Sequence, residues 1–214
     1  MNAKLLLTSL ILTGTAATLP AVLHSTASRA QSPSDANSPA AHYLPEYTAS
    51  GDLVLPKNWR HWVFVGSPLT PNALNGGKAN FPEYHNVYIE PGSFAIFEKT
   101  GQFPEGTMFF KELELTLPAE NPDGSRSEPS GRGFFPGPFN GADVTVKDTK
   151  RYPDTDGWGY YNFHHFEPKA ATASVRPKDE CAYCHMASAR YDDVWTQFYP
   201  MLAEIAQKFA KPGK

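Results

Sequence analysis

Cys181-Ala182-Tyr183-Cys184-His185 constrains this chain more than any other stretch. Its two cysteines are the only ones in 214 residues. They stand three positions apart, and an imidazole follows directly. C-x-x-C-H is the attachment pattern of a c-type haem: the thiols form thioethers with the vinyl groups, and the histidine coordinates iron. A disulfide, a thioredoxin-like redox pair and half of a zinc site are the competing uses of the spacing. A zinc site would want further soft ligands, and a redox pair would want a βαβ pattern nearby. A chain that holds this group must wall it with apolar rings, and fourteen Phe, ten Tyr and four Trp supply them.

The N-terminus fits the chemistry of haem attachment, which takes place outside the cytoplasm. Residues 1–30 read as a signal peptide: Lys4 gives a positive start, Leu5 to Leu19 is apolar, and Ser28-Arg29-Ala30 offers a small-x-small cleavage site. Gly14 and Pro20 and the shortness of the run argue for cleavage rather than a retained anchor. No later stretch is long and apolar enough to span a bilayer, so a periplasmic protein with no membrane span after cleavage is expected. The formal net charge of −3 becomes more negative once Lys4 and Arg29 leave. That balance speaks against nucleic acid as a partner. Residues 31–50, rich in Ser, Pro, Ala and Asn, read as a flexible leader, and one domain follows over 51–210.

Within that domain Pro56 opens a short helix carrying Trp59, Trp62 and Val63, and Pro68 to Gly77 reads as an irregular loop. His85 to Ile89 is a strand. Pro91 starts a helix that Gly101 ends. Thr107 to Leu117 has the clearest period of two in the chain. Phe109, Lys111, Leu113, Leu115 and Leu117 share one face of it. Lys111 therefore lies on an apolar face, either snorkelling at a sheet edge or aiming its amine into a pocket. Pro118 to Gly141 reads as a long connection. Ala142 to Lys147 is a strand with Asp143, Thr145 and Lys147 on one face, and Trp158 to Phe166 is another. Its His164 and His165 should point to opposite faces. Val194, Phe198, Met201, Ile205 and Phe209 space out a closing amphipathic helix, kinked near Pro200, with Met201 in the core. The fold class is α+β, mainly antiparallel β-sheet with short packing helices and a C-terminal haem-bearing helical segment.

His185 is the proximal iron ligand, and the sixth position decides between an electron relay and small-molecule chemistry. Met108, Met186, Met201, Lys111 and the other histidines are the available closing ligands. Met186 follows His185 too closely to reach the opposite ring face. The motif also lies near the C-terminus, leaving little chain for a distal ligand loop, and an open iron is expected.

Taken in order, Leu55 to Arg60, Val65-Gly66-Ser67, Pro71 to Gly77, His85 to Tyr88, Lys99 to Thr107, Lys111-Glu112-Leu113, Val146-Lys147-Asp148, Trp158 to Phe163, Cys181 to His185 and Thr196 to Pro200 resemble the cytochrome P460 family, which includes the β-sheet cytochromes c′. The resemblance implies a homodimer with one five-coordinate haem c per chain. It implies that Lys111 matches the lysine cross-linked to a porphyrin meso carbon in cytochromes P460. It further implies hydroxylamine oxidation to nitrous oxide or nitric oxide, with electrons passed to an external partner such as a cytochrome c. Asp143 matches a proton-handling carboxylate position, although it is shorter than the family's glutamate. His85 stands where an arginine is expected and can shuttle a proton near neutral pH. The other implied outcome is an NO-binding cytochrome c′ of the β type, its distal site capped by rings such as Phe81, Phe109 and Phe134. A plain electron-transfer cytochrome c is the third.

Overall fold

The computed structural model describes residues 43–71, 82–165 and 170–210. The expected signal peptide, most of the expected leader, the stretch from Asn72 to Gly77 expected as loop, and Phe81 and Phe166 lie outside the described residues.

Among the described residues, ten strands and three α-helices follow in chain order. The strands are β1 (Leu53–Val54), β2 (Val63–Gly66), β3 (Leu69–Thr70), β4 (Glu83–Ile89), β5 (Met108–Thr116), β6 (Arg126–Glu128), β7 (Gly131–Gly133), β8 (Pro136–Lys147), β9 (Trp158–His165) and β10 (Thr172–Ala173). The helices are α1 (Pro91–Thr100), α2 (Ala182–Ser188) and α3 (Pro200–Phe209). The main sheet runs β2-β4-β5-β8-β9, with β3 also on β4; β1 pairs with β10 and β6 with β7. Every described pairing is antiparallel. The fold is thus α+β with sheet dominant and a C-terminal helix.

β5 lies in the middle of the sheet. Val87 stands opposite Lys111 on one side and Asp143 opposite it on the other. Both faces of the sheet are covered. Val87, Ile89, Phe109 and Tyr160 pack with Phe97 of α1, Ala182 of α2 and Leu202 and Ile205 of α3. On the opposite face Met108, Phe110, Val144 and Tyr161 pack with Leu53, Trp62 and Tyr152. A strand buried on both sides carries apolar residues at both parities, which is why Met108 and Phe110 accompany Phe109. Glu112, 2% exposed, also points to the second face. It is held by Arg60 Nη2 at 2.7 Å and Tyr88 Oη at 3.1 Å, the pairing that a buried carboxylate needs.

Local chemistry places α1 where the sequence indicates. Pro91 occupies its first turn, Glu90 caps it by accepting from Gly92 and Ser93, and Gly101 closes it with φ 69°. Elsewhere the structure departs from the sequence reading. Residues 43–50 are packed rather than loose: Tyr47 bridges to Leu53, and the Tyr43 ring lies 6.0 Å from that of Trp62. The helix expected after Pro56 is one 3₁₀ turn, Trp59–His61, because Val63, Phe64 and Val65 continue into the sheet. The connection from Pro118 to Gly141 contains the β6–β7 hairpin and the first half of β8. Gly137 belongs to that strand because a Cβ there would come within 2.9 Å of the Leu115 carbonyl. His164 has φ 66° beside a register shift between β8 and β9, so simple alternation fails at His164. Pro200 begins α3 instead of kinking it, and Met201 is exposed rather than core. No helix of the described residues is long and apolar enough to cross a membrane.

Candidate functional site

A cavity of about 330 Å³ lies between the helix-side face of the sheet and the C-terminal segment. Val87, Phe109, Lys111, Asp143, Thr145 and Tyr160 line it from the strands. Cys181 and His185 enter from α2, and Trp195, Phe198 and Tyr199 from the chain leading to α3; His85 and Pro68 also line it. Lys111 and Asp143, from neighbouring strands, and His185, some seventy residues beyond Lys111, thus line one cavity. Cys184 is exposed and is not part of the lining.

The His185 ring has two defined partners. Its Nδ1 is 2.8 Å from the Asp193 carbonyl, and the Trp195 indole Nε1 donates to its Nε2 at 3.1 Å. A carbonyl only accepts and an indole N–H only donates, so the proton sits on Nδ1 and the lone pair on Nε2. Burial pushes the His185 pKa below its ordinary value, against the opposing Asp193 hydrogen bond. The ring is therefore neutral at physiological pH, the form a metal ligand requires.

The Asp193 carbonyl is delivered by a tight turn. Val194 N donates to the Tyr191 carbonyl at 2.9 Å, and Asp192 and Asp193 between them have φ 45° and 56°. Two successive positive φ angles are those of a type I′ turn, usually made with Asn-Gly. Lys147, at the end of β8, places Nζ 2.7 Å from Asp192 Oδ1 and 4.8 Å from the Trp158 ring centre.

Lys111, Asp143 and Asn162 form a row across β5, β8 and β9. Lys111 Nζ is 2.5 Å from Asp143 Oδ2, and Asn162 Nδ2 donates to Asp143 Oδ1 at 2.6 Å. The lysine is thus directed into the cavity by sheet register, and its ammonium is paired there. His85 Nε2 is 3.5 Å from Glu83 Oε1; Glu83 is fully buried and accepts from Asn140 at 2.8 Å. Of the three phenylalanines considered for a cap, Phe109 lines the cavity. Phe134 does not, although its carbonyl accepts from Tyr84.

The two thiols of the motif form no disulfide with each other. Burial, followed by the Asp143 charge, pushes the Cys181 thiol up, with Lys111 opposing; a reactive thiol is shifted the other way. Among the described residues no group of three or more His, Cys, Asp or Glu side chains is arranged to hold a metal ion, so the zinc reading lacks its other ligands. Met108 packs on the far face, and among the described residues no methionine lines the cavity. Tyr160 is 5% exposed, and its hydroxyl has no hydrogen-bond partner among the described residues. The donor set fits a haem c: a C-x-x-C pair, a neutral imidazole whose Nε2 carries the lone pair, and aromatic and aliphatic side chains in the lining.

Sequence reasoning missed Asn162, Tyr160, Trp195 and the Asp193 carbonyl. The alternation of β9 puts Tyr160 on the Trp158 side, a usable signal; a main-chain carbonyl leaves none. Compared with known proteins, residues 56–196 match the family model described as cytochrome P460, and no curated protein matches the chain.

Proposed function

Because the chain belongs to the cytochrome P460 family, we propose that it is a mono-haem c enzyme oxidising hydroxylamine to nitrous oxide or nitric oxide, with electrons passed to an external acceptor such as a cytochrome c. One observation carries this reading: Lys111 and Asp143 pair on the wall of the cavity that also holds His185 and Cys181. Cys181 and Cys184 would hold the haem and His185 Nε2 would coordinate it, and the group would supply the redox chemistry that takes electrons from the nitrogen compound. Protons leave with those electrons, so the wall needs a proton acceptor. Asp143 Oδ2 takes that role. A lysine bonded to the porphyrin through its amine no longer carries an ammonium charge, and Asp143 then loses its counter-ion and becomes a better acceptor. Asn162 keeps the carboxylate oriented throughout. His85 serves as a second proton carrier, backed by Glu83. A periplasmic homodimer, freed of residues 1–30, completes the reading.

An NO-binding cytochrome c′ would want an aromatic wall poor in protons; here Lys111, Asp143 and His85 line the cavity beside Phe109. Intact mass and visible absorption of holoprotein and of Lys111→Ala test the proposal. A red-shifted ferrous band in wild type and an ordinary haem c band in the variant are expected. Identical spectra would sink the cross-link. Steady hydroxylamine-dependent reduction of an added acceptor tests turnover, and NO binding without such reduction would replace the enzyme by the NO binder.

A further inference from the structure

We propose that Lys147 is a positioning residue for the His185 imidazole, acting from the end of β8 through the Tyr191–Val194 turn. The inference rests on the reading of His185 as the iron ligand. Lys147 is 8% exposed, unusual for a residue that normally keeps its ammonium in water. Its shortest polar contact is to the turn. Nζ lies 2.7 Å from Asp192 Oδ1 and 3.5 Å from the Asp156 carbonyl, above the fully buried Trp158 ring. The Trp158 indole Nε1 donates to the same Asp192 oxygen at 3.4 Å. Sheet and turn are thereby pinned together at one carboxylate.

The pin is needed because the turn is strained. Asp192 and Asp193 both have left-handed backbones, a conformation that aspartate tolerates poorly compared with glycine. Such residues persist only where their surroundings hold them. What the conformation secures is the direction of the Asp193 carbonyl, which meets His185 Nδ1 at 2.8 Å. That hydrogen bond fixes the tautomer and ring orientation and makes Nε2 a stronger donor. A stronger donor favours ferric over ferrous iron. Lys147 touches neither the imidazole nor the cavity and acts through the main chain.

The test uses the thioether-bound holoprotein with Lys147→Met, Lys147→Arg and Asp192→Ala. Methionine keeps an apolar stem over Trp158 and removes the charge; Asp192→Ala removes the receiving end at a partly exposed site. Both are expected to shift the ferric–ferrous equilibrium toward ferrous by on the order of tenfold, about 59 mV for one electron. Both should lower the iron–histidine stretching frequency. Lys147→Arg should restore most of each shift, and the Lys147→Met/Asp192→Ala double variant should shift no further than either single one. Unchanged potential and stretching frequency in the single variants would overturn the proposal, and if Lys147→Met does not fold, Asp192→Ala alone decides. A wild-type holoprotein without an iron–histidine stretch would instead overturn the ligand assignment beneath it.

Discussion

Replacing Glu90 by glutamine probes how the first helix is tied to the sheet. Glu90 is fully buried. Its Oε1 accepts from Tyr43 N and Gly92 N, each at 2.9 Å. Its Oε2 accepts from Ser93 N and Ser93 Oγ, each at 2.6 Å. The glutamine amide fits best with its oxygen in the first position and its NH₂ toward Ser93, whose hydroxyl can turn to accept. Only the Ser93 N–H then loses its partner. An unsatisfied buried donor costs about 1–3 kcal/mol, and hydrogen bonds to a charged acceptor exceed neutral ones by roughly 1 kcal/mol. Relief from burying a charge offsets part of this. The expected net loss is about 2–3 kcal/mol at pH 7, or about 5–10 °C in Tm for a domain of this size. Glu90→Ala, which abandons these four donors, should lose about 4–5 kcal/mol.

The pH dependence carries a sign. Burial alone would raise the Glu90 pKa, but the bonds from Ser93, Tyr43 and Gly92 together bring it below its ordinary value. Its contribution is therefore fully present above the unfolded pKa of about 4.3 and disappears as pH falls through the lower folded value. Urea titrations at pH 7 and at successive steps below about pH 4.3 should show the gap between wild type and Glu90→Gln narrowing with acid. A variant within about 0.5 kcal/mol of wild type at pH 7, or a gap that widens on acidification, would refute the reasoning.

Two further outcomes concern the cavity. Cys181→Ala/Cys184→Ala should yield a protein whose haem separates on denaturation, whereas either single variant keeps one thioether; intact mass after denaturation distinguishes them. In that double-variant background, Trp195→Phe removes the indole N–H from His185 Nε2 while keeping a ring on the wall. A neutral hydrogen bond of about 1 kcal/mol no longer competes with iron, so added haem should bind about fivefold more tightly in an absorbance titration. Unchanged or weaker binding would show that the indole is no competitor.

The readable parts of this sequence are those set by local rules or by strict period. Pro91 and Gly101 bracket α1 through their own backbone preferences, and the alternation about Lys111 places that lysine on the cavity face. Pro136 to Gly141 reads as loop because Gly and Pro dominate its composition, although at Gly137 the close approach of the Leu115 carbonyl leaves no room for a side chain. The aspartates of the Asp192-Asp193 turn carry none of the Asn-Gly signal, since a buried lysine distant in sequence holds them in place. Thiols and imidazole are legible as a motif. The tautomer of that imidazole depends on a main-chain carbonyl and an indole whose positions only tertiary packing decides.

The central place of β5 has a consequence for how this family's chemistry can vary. With β4 and β8 bonded along both of its edges, the strand cannot slide independently, and a one-residue slip would carry Lys111 through the sheet to the Met108 side. Substitution at Lys111 is thus open to change without disturbing the scaffold, whereas a single-residue insertion or deletion within β5 reverses which groups face the cavity. The sheet works as a ruler: the count of residues along one strand, more than the identity of its neighbours, keeps an amine in the cavity that His185 enters some seventy positions later in the chain.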